Sequence, residues 1–99
     1  ILVKEILYFE SRRRKIFITT TGGTVETYGK LNDIEKSLKG GKIPFLRIHQ
    51  SYLVNYKHIT GQAYDFIILS DGSKLSISED RRKRISEEYC MLGDGINVD

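Results

Sequence analysis

The apolar positions change period along the chain, and each change marks a different element. Ile6-Leu7-Tyr8-Phe9 is a short unbroken apolar run rich in strand formers. Lys15 to Thr21 and Thr24 to Tyr28, dense in β-branched and aromatic residues, flank Gly22-Gly23; glycines there permit positive φ, so the segment predicts a β-hairpin. Leu31, Ile34 and Leu38 then fall at i, i+3 and i+7, one stripe of a short amphipathic helix. Asp33 and Glu35 stand early in it and Lys36 and Lys39 late, which suits the helix dipole, and Gly40-Gly41 stops it. So narrow a stripe predicts that the helix lies on a sheet.

After Pro44, the sole proline, Phe45 to His49 reads as a strand. Gln50 to Asn55 is apolar only in its middle and reads as a compact turn or a single helical turn. Ile59 to Tyr64, Phe66 to Leu69 and Lys74 to Ser78 predict further strands, the last two joined by Asp71-Gly72. Ser78 is placed to cap a final helix, with Glu79 and Asp80 in its first turn and Ile85, Tyr89 and Leu92 along its inner stripe. Cys90, beside Tyr89, is expected as a small packed hydrophobe. Beyond Leu92 no pattern persists, so the reading is one domain over residues 1–92 with a mobile tail at 93–99. That makes a mostly-β chain with two short helices.

Composition adds bounds. The 99 residues suit one domain with a modest core, and 39% hydrophobic with 29% charged residues fits a globular protein. The longest apolar runs are far too short to span a bilayer, and the first residues carry no signal-peptide pattern, so no membrane association is expected. A lone Cys90 excludes an internal disulfide or a cysteine-cluster metal site and fits a reducing cytoplasm. The chain opens on Ile1 rather than Met, as expected of a domain cut from a longer protein.

A net charge of +3 is modest, but its distribution is not. Arg12-Arg13-Arg14-Lys15 and Arg81-Arg82-Lys83-Arg84 hold 8 of the 16 Lys and Arg residues. Two concentrated cationic tetrads suit a polyanion, although solvated surface runs have the same composition. A catalytic constellation does not emerge. His49 and His58 stand nine residues apart without a carboxylate cluster, the serines lie in no nucleophile elbow, and the glycine pairs lack the Lys-Ser/Thr of a phosphate loop. No enzyme, metal or cofactor is therefore expected.

The stretch Phe45-Leu46-Arg47-Ile48-His49-Gln50-Ser51-Tyr52-Leu53-Val54-Asn55, followed by His58-Ile59, resembles the signature of the LytTR family, F-x-R-x-H-x-S-[YF]-[LV]-V-N with an isoleucine soon after. Ile6 to Ser11 resembles that family's opening strand, and Leu69 to Ser78 its closing hairpin. The resemblance covers about Glu5 to Leu92 and implies an elongated, sandwich-like arrangement of antiparallel sheets with one short helix and a C-terminal helix or helical turn. It further implies the output domain of a bacterial response regulator, behind a receiver domain missing from this chain. Its function would be sequence-specific binding of duplex DNA at promoter repeats, with two copies on adjacent half-sites.

In that family, loops rather than a recognition helix enter the grooves. By position, the first contact loop matches Ser11 to Lys15, with Arg12, Arg13, Arg14 and Lys15 able to meet phosphate or guanine. The second matches Gln50, beside His49 and Ser51, where an amide suits paired bonds to adenine. The third matches roughly Glu79 to Arg82, extended by Lys83. There the family carries an early basic residue, whereas this chain has Glu79-Asp80 and begins its charge at Arg81. Tyr52, Leu53 and Val54 are expected to anchor the second loop in the core and Asn55 to fix a turn; Arg47 and His49 face either phosphate or another strand. Two other readings use the same charges: a domain docking an acidic protein partner, and an RNA-binding β-domain with exposed stacking aromatics. The DNA reading requires Gln50 and the first tetrad to face one duplex together.

Overall fold

The computed structural model describes the backbone of residues 2–97 and the side chains of residues 2–93. Among the described residues, eight strands and two α-helices follow in the order β1 (Ile6–Arg12), β2 (Lys15–Thr20), β3 (Gly23–Tyr28), α1 (Leu31–Leu38), β4 (Phe45–His49), β5 (Tyr52–Asn55), β6 (Ile59–Gln62), β7 (Phe66–Leu69), β8 (Lys74–Ser76) and α2 (Arg82–Asn97). The strands form two antiparallel sheets, one ordered β3-β2-β1-β5-β4 and one ordered β6-β7-β8.

The inner strands of the larger sheet are covered on both faces, which explains the unbroken apolar runs of β1 and β5, while the edge strand β3 is exposed throughout. One face carries Ile6, Phe9, Ile16 and Leu53 under the α1 stripe of Leu31, Ile34 and Leu38. The other carries Leu7, Leu46, Ile48 and Val54 against Ile67, Leu69 and Leu75 of the smaller sheet, Ile77 just after β8, and Ile85 of α2. A bulge between Ile6 and Tyr8 breaks the alternation of β1, so that Ile6 and Phe9 pack into one core cluster and the intervening Leu7 and Tyr8 into the other. The expected sandwich-like, mostly-β architecture is present, extended to 37 Å along its longest axis.

Four local expectations give way. Only Gln50-Ser51 is a turn; Tyr52–Asn55 is a strand, seated between β1 and β4. Burial on both faces removed the alternation that would have revealed it, and Asn55 is tolerated because its amide is satisfied by backbone. Its Nδ2 donates to the Ile6 carbonyl at 2.9 Å and its Oδ1 accepts from the Lys57 N–H at 2.8 Å. Ser78 does not cap α2: it precedes a one-turn 3-10 helix, Glu79–Arg81, and its hydroxyl donates to the Ile48 carbonyl at 3.4 Å. Cys90 is exposed rather than packed, because the α2 stripe at Ile85 and Tyr89 turns it outward. The helix runs past Leu92 to Asn97, through most of the stretch expected to form a tail; positions 98 and 99 of that tail lie outside the described residues. Among the described residues, no helix is long and apolar enough to cross a membrane.

Candidate nucleic-acid interface

The first tetrad is split by a hairpin. Arg12 pairs with Lys15 across the β1–β2 ladder, leaving Arg13 and Arg14 as a two-residue turn with φ of 47° and 70°. Both central residues are left-handed, as a type I′ turn demands, and the side chains at those positions carry a Cβ that disfavours it. Strain of this kind, roughly 1 kcal/mol per residue, persists where the surrounding ladder over-determines the turn. Replacing the pair together, Arg13→Asn with Arg14→Gly, is expected to raise the thermal midpoint by about 5 °C. A melt unchanged or lowered would show that the turn stores no strain.

Arg12 and Lys15 are held by neighbours along the strands. Arg12 grips Glu10 at 3.2 Å and stacks over the Phe17 ring at 4.2 Å; Lys15 lies 3.4 Å from Glu26. Arg14 instead lines an open depression of about 940 Å³ together with Ser11, Gln50, Ser51 and Arg81. Three separate loops thus converge on one concave surface. Arg12, Arg13 and Lys15 line a second depression with Phe17.

The Gln50 turn is the centre of this arrangement, and backbone bonds lace the other two loops to it. The Ser11 N–H donates to the Ser51 carbonyl at 2.9 Å, and the Ser78 N–H donates to the Ile48 carbonyl at 2.9 Å. Inside the turn, His49 Nδ1 accepts from the Ser51 N–H at 3.0 Å while its ring rests against Tyr52. Burial raises the Tyr52 phenol above its ordinary pKa, with the Glu10 carboxylate adding to the shift.

Arg47, which sequence left between phosphate and a neighbouring strand, is only 7% exposed. Its guanidinium donates to the carbonyls of His49 and Gln50, to Asn32 Oδ1 at 2.7 Å and to Glu35 Oε1 at 2.8 Å. It is a strut from α1 to the turn, and it leaves the exposed Gln50 side chain free.

The second tetrad is also divided. Arg81 reaches the depression, whereas Glu79 and Asp80 are exposed away from its lining. Arg82 Nε donates to the Ile77 carbonyl at 3.1 Å, Lys83 is exposed at the start of α2, and Arg84 pairs with Glu88 at 3.4 Å. Sequence reasoning overlooked Gly29 and Lys30 of the β3–α1 connection and Asn32 in the first turn of α1, which line the same depression. One lysine ahead of a helix carries no signal until the chain is folded. The depression's lining includes Arg14, Lys30 and Arg81, none of them in an ion pair among the described residues, and no carboxylate, so its charge is suited to an anion. Among the described residues, no group of three or more His, Cys, Asp or Glu could hold a metal ion.

Comparison with known proteins identifies the family and the fold. The family model described as the LytTr DNA-binding domain matches residues 1–89. The sensory transduction protein LytT of Bacillus cereus is 28% identical over 86% of this chain, and the transcriptional regulatory protein NatR of Bacillus subtilis is 39% identical over 57% of it. The matched regions make up 36% and 23% of those two proteins. A solved LytTr DNA-binding domain of a putative methyl-accepting/DNA response regulator from Bacillus cereus shares the fold, with a TM-score of 0.74 and 20% identity, covering 94% of this chain and 85% of that one.

Proposed function

The chain belongs to the LytTR family of DNA-binding domains, and from that premise we propose that it reads duplex DNA sequence-specifically as the output module of a two-component response regulator. The observation that carries this reading is the convergence of Arg14, Gln50, Ser51 and Arg81, from three loops, on one carboxylate-free concavity. Gln50 projects from a turn held rigidly by Arg47 and His49, so its amide can meet an adenine edge without first being ordered. Arg14 and Arg81 flank it and reach phosphate or a guanine edge on either side. Arg12, Arg13, Lys15, Arg82 and Lys83 add a cationic rim, with His49 and Ser51 contributing to the turn. The protein works by binding and not by catalysis. A preceding receiver domain, and two copies on adjacent half-sites, complete the proposed regulator.

Selection of bound duplexes from a random pool, followed by titration at several salt concentrations, tests the proposal. Wild type is expected to enrich one motif and to lose affinity steeply with salt. Gln50→Ala is expected to relax preference at one base position by about 1–3 kcal/mol while binding to unrelated duplex stays nearly intact. Equal, weak affinity for all duplexes, with salt-sensitive capture by an acidic protein or by single-stranded RNA, would reject it.

A further inference from the structure

Lys30 and Asn32 lie at the junction of β3 and α1, outside every segment that the family signature marks as a contact loop, yet they line the depression that holds Arg14, Gln50 and Arg81. Both are exposed, and Lys30 makes no ion pair among the described residues. Its backbone is fixed, because the Lys30 carbonyl accepts from the Asp33 and Ile34 N–H groups and so opens α1. The Asn32 amide is oriented too. Arg47 has donors only, so Asn32 Oδ1 must face it at 2.7 Å, and the Asn32 NH₂ is left to point elsewhere with two donors to offer. An ammonium and an oriented amide donor on one carboxylate-free surface match a phosphodiester.

We propose that Lys30 and the Asn32 amide form a fourth DNA contact, gripping one backbone phosphate beside the base read by Gln50. This rests on the DNA-binding reading above and deepens it. Arg47 joins the two contacts: it donates to Asn32 on α1 and to the Gln50 carbonyl, so the phosphate grip and the reading turn share one rigid frame. The contact carries no base information and serves to set register on the duplex.

The test is affinity against salt for the whole domain on a selected duplex and on a scrambled one. Lys30→Ala is expected to lower the slope of log affinity against log salt by about 0.9, the value for one released phosphate counterion, with equal loss on both duplexes. Asn32→Asp keeps an oxygen acceptor for Arg47 but presents an anionic oxygen in place of the NH₂, and is expected to weaken both duplexes alike with the fold intact by circular dichroism. Lys36→Ala, on α1 outside the depression, serves as the neutral control. A slope in Lys30→Ala equal to wild type, or a loss confined to the selected duplex, overturns the fourth contact. Failure of wild type to bind duplex with any salt dependence would instead bring down the DNA reading itself.

Discussion

Arg47→Met is expected to destabilise the domain by about 3 kcal/mol and to blunt its base preference at the same time. The side chain is buried and donates to four acceptors, two of them carbonyls of the Gln50 turn. Methionine fills a similar stem volume but returns none of those bonds. The Glu35 carboxylate is 36% exposed and re-solvates, so the cost sits at the lower end for a broken buried pair. Denaturant unfolding measures the stability. Competition between selected and scrambled duplex, at a temperature where the variant is folded, measures the preference. Because Arg47 bonds the turn and α1 rather than facing solvent, the salt slope should remain near wild type while discrimination falls. Arg47→Lys should not rescue, since one ammonium cannot fork onto acceptors in several directions. A variant with wild-type stability, or one whose salt slope drops by a full phosphate, would refute the strut.

The second large effect lies at Asn55. Asn55→Ala is expected to cost about 3 kcal/mol, because it removes one buried and one part-buried hydrogen bond and takes the amide donor from the Ile6 carbonyl in the interior. Asn55→Asp gives a sharper test. Its Oδ1 still accepts from Lys57, but at neutral pH a buried carboxylate would face the Ile6 carbonyl. Burial and that carbonyl both favour the protonated form, so the folded-state pKa lies above the unfolded value of about 3.9. A group raised in this way contributes stability below the unfolded pKa and loses it as pH rises through the folded one. The gap between Asn55→Asp and wild type should therefore narrow as the buffer is acidified towards about pH 4. A gap that widens on acidification would show that the position is not sealed from water.

Much of this architecture could be read from patterns of neighbours in the chain. The Leu31, Ile34 and Leu38 stripe reports α1 because helical burial repeats with the helix's own period, and Gly22-Gly23 and Asp71-Gly72 report their hairpins because a tight turn needs residues that accept positive φ. Where burial has no period, the signal fails. Tyr52–Asn55 is enclosed on both faces and looked like a turn. Arg13-Arg14 forms a left-handed turn without the usual Asn or Gly, because the ladder from Arg12 and Lys15 imposes it.

The sequence by itself determined the family, the strand-rich class, the helix stripe and the three loops that carry polar and cationic chemistry, since each is encoded within a few consecutive residues. Only the tertiary structure decided how that charge divides: Arg14 and Arg81 towards the concavity, Arg12 to Glu10 and Phe17, Arg82 to the Ile77 carbonyl, and Arg47 inward to α1. The reason is physical. A guanidinium's role is set by the acceptors within reach, and those acceptors come from segments far away in the chain that meet only when the sheets close over their core.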